Sequence, residues 1–211
     1  QTGSVSAAVG QLSGSVRIRI IPTLPWKEDF ESLTSIPSHW INATGKYELR
    51  ALNGSNVLVK KADNPFLRRA RVYMGPSDFS NYTVEVDALA TTKRRQMGVV
   101  GVVAQRYQLS LLGSHQRLEL QSWQPETQRT AKMPFKWSAD KWYRLKLEIA
   151  TLPNGTVRAR GKVWAQESTE PKEWHLERTD NYPNLQGSPG IFADATPTEV
   201  FFDNLRVYST K

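Results

Sequence analysis

Apolar and polar residues alternate at period two through most of this chain. Tyr82, Val84, Val86 and Ala88 are separated by Thr83, Glu85 and Asp87. Over residues 142–150, Tyr143, Leu145, Leu147 and Ile149 alternate with Trp142, Arg144, Lys146 and Glu148. Leu152-Pro153-Asn154-Gly155 interrupts the pattern, and residues 157–164 resume it: Val157, Ala159 and Val163 against Arg158, Arg160, Lys162 and Trp164. Period two places successive side chains on opposite faces of a β-strand. An Asn-Gly pair between two such runs predicts a tight hairpin. Residues 99–112 read as one long strand, closed by Gly113-Ser114-His115-Gln116, with residues 117–123 returning as a second hairpin. There Val103, Tyr107, Leu109 and Leu111 share the apolar phase, and Arg106, Gln108 and Ser110 the polar one. On the return strand Leu118 and Leu120 oppose Arg117, Glu119, Gln121 and Trp123. Residues 200–208 form a last strand, and no stretch has helical periodicity. Many short strands with turns between them predict an all-β, two-sheet antiparallel sandwich.

The first 22 residues stand apart. Residues 5–20 read as two short strands around a glycine-containing turn, and Ile21-Pro22-Thr23-Leu24-Pro25 as a stiff linker. Residues 1–22 are therefore expected to be either edge strands or the hairpin of a preceding domain, and residues 23–211 to form the sandwich. The hairpin resembles the close of a bacterial immunoglobulin-like repeat.

Residues 26–208 resemble the concanavalin-like jelly-roll domains. The resemblance is carried by Trp26-Lys27-Glu28-Asp29-Phe30-Glu31, then Pro37-Ser38-His39-Trp40 and Gly45-Lys46-Tyr47 near the start. At the end it is carried by Gly187-Ser188-Pro189-Gly190-Ile191-Phe192 and Val200-Phe201-Phe202-Asp203-Asn204-Leu205-Arg206-Val207. Lys141-Trp142-Tyr143-Arg144-Leu145-Lys146-Leu147 sits between them. Within this group the chain looks closest to accessory domains that follow quinoprotein-type β-propeller repeats in large exported bacterial proteins. The resemblance implies a module of a longer protein, placed outside the cell or in the periplasm. These motifs specify fold better than function, because the superfamily holds lectins, binding modules, hydrolases and lyases.

Composition narrows the chemistry. The chain has 211 residues and no cysteine, which removes disulfides, thiolate metal sites and a cysteine nucleophile. Its net charge is +8, which favours polyanionic partners. No helix-turn-helix, zinc or RNA-recognition pattern supports nucleic acid, and no apolar run is long enough for a membrane span. Four Asn-x-Ser/Thr triplets, headed by Asn42, Asn53, Asn81 and Asn154, read as turns.

Three kinds of site are then open. The resemblance implies a structural Ca2+ held by Glu31 and Asp203, with Asp29 as a substitute ligand and a carbonyl from residues 42–45, because such jelly rolls lay the first and last strands side by side. Oxygen ligands of this kind suit calcium. Glycoside cleavage needs two placed carboxylates; Glu85 and Asp87 begin the Glu-x-Asp-x-x-Glu pattern, but position 90 is alanine. A polyuronate lyase would use Gln105, Arg106, Tyr107 and His115, yet Tyr107 falls in the apolar phase and the Gln-x-His strand motif is missing. Carbohydrate binding without catalysis fits better. Seven tryptophans accompany many arginines, and sugar rings stack on aromatic faces while polar groups bond their hydroxyls. The residues expected to bind a neutral or acidic glycan are Arg106, Trp123, Arg144, Arg160 and Trp164. A structural domain packed against a neighbouring propeller, and a glycan-cleaving enzyme, are the alternatives.

Overall fold

Each period-two run becomes a strand whose apolar phase turns inward. The computed structural model describes residues 2–62, 65–122, 129–195 and 197–210, and it contains eighteen strands. One sheet is built from β16 (Leu176–Asp180), β15 (Val157–Ala165), β14 (Tyr143–Thr151), β7 (Tyr82–Ala90), β18 (Val200–Ser209), β5 (Ser55–Lys60) and β4 (Tyr47–Leu52), in that spatial order. The short β3 (Trp26–Glu28) adds to β18, with Trp26 opposite Val207. The first strand of the sandwich thus lies beside the last, as the resemblance implied.

The second sheet has six strands in the order β13 (Thr130–Pro134), β12 (Arg117–Gln121), β11 (Tyr107–Leu112), β10 (Val99–Ala104), β17 (Gly190–Asp194) and β6 (Arg69–Tyr73). All its pairings are antiparallel. The two sheets enclose one core. Val84, Val86, Leu145, Leu147 and Phe202 from the first sheet share it with Val102, Leu109, Leu111, Leu118 and Ile191 from the second. Burying each such side chain contributes about 1.5–3 kcal/mol. The layers interdigitate: a Cβ at Gly161 would lie 2.5 Å from Leu109 Cδ1, so β15 uses glycine where the facing leucine enters. The chain has the two-sheet antiparallel architecture of a concanavalin-like jelly roll. A small ribbon of β8 (Thr92–Lys93) and β9 (Gln96–Met97) hangs beside it.

The strand reading of residues 99–112 needs correction. The chain reverses at Gln105-Arg106, so this run is a hairpin of β10 and β11, and β12 makes a three-strand meander of it. Both turn residues are left-handed, with φ of 49° and 67°. A turn of this kind usually announces itself with Asn or Gly, and here neither is present. The reversal also moves Val103, which pairs with Gln108 and shares its outer face; Val100, Val102 and Ala104 face the core.

Residues 2–19 form an isolated ribbon of β1 (Thr2–Val9) and β2 (Leu12–Arg19). Its register places Val5, Val16, Ile18, Val9 and Leu12 on one face, and Ser4, Ser6, Ser13, Ser15, Arg17 and Arg19 on the other. The apolar face is exposed. A two-stranded hairpin is marginal on its own in water.

Candidate functional site

The outer face of the large sheet carries the charged phase of β7, β14, β15 and β18. The register aligns it in rows. One row runs Trp164, Arg144, Asp87, Asp203; the next runs Lys162, Lys146, Glu85, Arg206. The structure therefore brings Trp164, Arg144 and Asp203 of the expected site residues into one line, with Arg160 two residues along β15 from Lys162.

These groups bind one another. Asp87 is fully buried. Arg144 donates Nε to its Oδ1 at 2.6 Å and Nη2 to its Oδ2 at 2.7 Å. Gln166 and Asn204 side-chain amides add bonds to Oδ2 at 2.7 and 3.0 Å. Glu85 accepts from Tyr208 and pairs with Lys146 at 2.9 Å. Residues 166–175 cross this face as a strap. Glu170 pairs with Lys146 at 3.0 Å and Lys162 at 2.7 Å, and the Trp174 ring lies under Arg160 (4.5 Å) and Lys162 (4.7 Å). Arg160 also donates to Glu148 at 2.7 Å. Trp164 is buried beneath this layer. So Arg144, Arg160 and Trp164 are engaged within the chain, and Glu85 and Asp87 are taken up by cations and amides.

Asp203 stands directly opposite Asp87 across β18 and β7. Burial pushes its carboxyl up to about 6 against the pull of the Asn204 N–H, and the neighbouring carboxylates of Asp87, Glu31 and Asp29 push the same way. Glu31 is exposed; its carboxylate accepts from the Ser55 hydroxyl and, through both oxygens, from the Asn56 N–H at 3.1 and 3.2 Å. Among the described residues no group of three or more His, Cys, Asp or Glu gathers in a metal-binding arrangement.

The outer face of the six-stranded sheet is different: it is open. A row runs across all six strands as Arg71, Phe192, Gly101, Ser110, Glu119 and Lys132. A second runs Tyr73, Gly190, Val103, Gln108, Gln121, Thr130. Gly101 in the first row and Gly190 in the second add no side chain to this face; a Cβ at Gly101 would lie 2.8 Å from the Leu109 carbonyl oxygen and 3.2 Å from Ser110 Oγ. A depression of about 300 Å3 lies between Arg71, Phe192, Ser110, Gln108, Glu119 and Gln121. Its polar groups are well buried: Gln108 and Glu119 are each 8% exposed and Ser110 2%. They are also held in place. Arg71 donates Nε to Gln108 at 2.8 Å and stacks on Phe192, its guanidinium 5.1 Å from the ring centre. Gln108 donates to Ser110 at 2.7 Å, and Gln121 donates to Glu119 at 3.0 Å.

A second depression of about 360 Å3 lies at the β10–β11 turn, where Arg106, Tyr73 and Ser188 line it. Of the expected binding residues, Arg106 alone reaches this face among those described; Trp123 lies outside the described residues. Sequence reading had placed Gln108, Ser110, Glu119 and Gln121 on a polar phase without nominating them, because amides and a serine carry less signal than Arg and Trp. Arg71 and Phe192 had no local signal; strand order alone brings them in. Tyr107 and His115, weighed for lyase chemistry, do not meet: Tyr107 is buried with its hydroxyl on Asp180 at 3.0 Å, and His115 lies at the opposite end of β11.

No family model matches the chain. No curated protein matches it either. Solved structures do. Carbohydrate-binding module CBM66 from Bacillus subtilis is 13% identical, covering 81% of this chain and 95% of its own, with a TM-score of 0.56. A glycosyl hydrolase family 16 protein from Mycobacterium smegmatis is 12% identical over 87% and 99%, TM-score 0.56. The carbohydrate recognition domain of Emp47p is 10% identical over 87% and 94%, TM-score 0.56. These likenesses agree with the two-sheet jelly-roll fold. At such identities they establish the fold, and the activity has to be argued from the site.

Proposed function

We propose that this domain binds carbohydrate without cleaving it, and that the outer face of the six-stranded sheet is where it does so. One observation carries the reading: an open groove whose wall includes the Phe192 ring and whose polar groups are buried and pre-positioned. Sugars offer hydroxyls in fixed directions and weakly apolar ring faces, and such a groove answers both. The fold neighbours include a carbohydrate-binding module and a carbohydrate recognition domain, which agrees with it. They also include a glycosyl hydrolase. The non-catalytic reading is supported by the state of Glu85 and Asp87, which lie on the opposite face under the strap and spend their oxygens on Arg144, Lys146, Tyr208 and amides. A screen of neutral and acidic oligosaccharides on an array, followed by calorimetry on the best binder, tests the proposal. Phe192→Ala and Gln121→Ala are each expected to weaken binding at least tenfold, while Arg160→Gln on the strapped face leaves it unchanged. A silent array, or binding that survives both groove substitutions, would overturn it.

The proposal extends to a structural cation. Asp203 and Glu31 offer two hard carboxylate oxygen donors near enough to repel one another, and such donors suit calcium. Backbone carbonyls and water would complete the shell. Its role would be to fasten the two ends of the sandwich. Millimolar calcium is expected to raise the melting temperature of the wild type relative to chelator and to leave Asp203→Asn unmoved. Identical melting curves in calcium and chelator would dispose of the cation.

A further inference from the structure

We propose that the depression at Arg106, neighbouring the groove, is an anion-reading subsite that takes the carboxylate or sulfate of an acidic glycan. The inference rests on the glycan-binding reading and adds the charge of the ligand. The depression there is bounded by Ile41, Tyr73, Ser77, Arg106, Gly187 and Ser188. Tyr73 and Ile41 supply a partly apolar wall against which a sugar ring can lie, and the two serines supply hydroxyls. Arg106 is exposed and has no ion pair or hydrogen bond within the described residues.

The carboxylates of the neighbouring groove are already paired. Glu119 pairs with Arg117 at 2.6 Å. Asp194 pairs with Arg69 at 2.9 Å and with Arg68 at 3.5 Å. Those carboxylates are therefore answered from within the chain, and Arg106 has no carboxylate against it among the described residues. A guanidinium is the group best shaped to hold a carboxylate or sulfate through two parallel hydrogen bonds.

The mount of that cation is rigid. Gln105 and Arg106 occupy the left-handed region together, a conformation that Asn-Gly would adopt with less strain. The turn is held there from below. The Gln105 side chain is fully buried, accepts from the Asn81 N–H at 3.1 Å and donates to the Asn184 carbonyl at 2.7 Å. Its backbone N–H donates to the Tyr82 hydroxyl at 2.6 Å, which in turn donates to the Gly187 carbonyl at 2.7 Å. The same hydroxyl thus ties the turn to the opposite wall of the depression. A backbone fixed in advance reduces what the arginine must lose in freedom when it binds.

The test is calorimetry on two matched pairs: a galacturonic acid tetramer with its carboxyl-reduced counterpart, and sulfated dextran oligomers with plain dextran oligomers. The wild type is expected to bind one charged member at least tenfold more tightly than its neutral partner; which pair shows the preference separates carboxylate from sulfate. Arg106→Gln should erase the preference while leaving the neutral affinity and the melting curve unchanged, and Arg106→Lys should restore part of it. Equal affinity within both pairs, or a preference that survives Arg106→Gln, overturns the subsite and leaves the glycan reading standing. No binding of any of the four overturns the subsite, and together with a silent array it overturns the glycan reading too.

Discussion

Asp87→Ala is expected to cost about 3–5 kcal/mol of stability, the range for breaking a buried charge pair from one side. For a chain of this size that corresponds to a fall in melting temperature on the order of 10 °C. Asp87 is fully buried at the centre of the large sheet and is the acceptor for Arg144, Gln166 and Asn204. Without it, the Arg144 guanidinium is left partly buried without its carboxylate, and the first residue of the strap loses its anchor. Relief of the repulsion at Asp203, directly across the strand pair, returns part of the loss but not most of it: that contact is one unfavourable pair, and the removed bonds are four. The double variant Asp87→Ala/Arg144→Ala should be no less stable than Asp87→Ala alone, because the stranded charge is gone. Urea titrations of the three proteins would decide the matter. A loss below 1 kcal/mol for Asp87→Ala would mean that the strap is held by Glu170 and Trp174 without help from this row.

The two outer faces have opposite characters, and this bears on how the domain works. On the large sheet, charge is dense and consumed: rows of cations meet rows of anions, and residues 166–175 are laid over them. On the small sheet, charge is sparse at the centre, and side chains are braced sideways by their neighbours. The second arrangement is the one to which the proposal assigns the glycan, which would there meet groups whose positions were fixed during folding.

Much of the fold is legible in the sequence because the apolar phase decides it. Val157, Ala159 and Val163 had to face inward once Asn154-Gly155 turned the chain, and they do. The side-by-side placement of the first and last strands followed from the opening and closing motifs. The turn at Gln105-Arg106 was not legible, since its left-handed backbone is held by partners distant in sequence, the buried Tyr82 with Asn81 and Asn184, and the two residues themselves give no local sign. The groove was half legible. Alternation placed Gln108, Ser110, Glu119 and Gln121 outward, but the order β11–β10–β17–β6 that sets Phe192 and Arg71 beside them lies in no local pattern. The reverse held for Arg144, Arg160 and Trp164. Alternation put them on the outer face correctly, and nothing in it could say that a strap would cover them.

Asp180→Ala is expected to reach both stability and binding, because Asp180 is the joint between the core and the groove wall. It is 3% exposed. Arg129 donates to its Oδ2 at 2.7 Å, the buried Tyr107 hydroxyl donates to the same oxygen at 3.0 Å, and the Tyr182 N–H donates to Oδ1 at 3.0 Å. Tyr107 in turn accepts from the Asn184 N–H at 3.3 Å, and Asn184 is the residue whose carbonyl holds Gln105. Removing the carboxylate takes the acceptor from a buried hydroxyl and the counter-charge from a partly buried guanidinium, a loss of about 3 kcal/mol, and loosens the segment that leads through Asn184 to Gly187 and Ser188 in the wall of the Arg106 depression. Burial alone would raise the Asp180 carboxyl, but the bonds from Arg129, Tyr182 and Tyr107 outweigh it and hold it below the ordinary carboxylate value. A depressed carboxyl stabilises the fold above its unfolded value and ceases to do so as the pH falls through its folded value. The gap in stability between wild type and Asp180→Asn should therefore be full at pH 7 and close as the solution is taken below about pH 4. Melting curves across that range, with glycan affinity measured at pH 7, give the readout. A gap that stays constant down to the acid end would show that the carboxylate's charge is not what fixes the joint, and a variant that binds glycan as the wild type does would show that the wall stands without it.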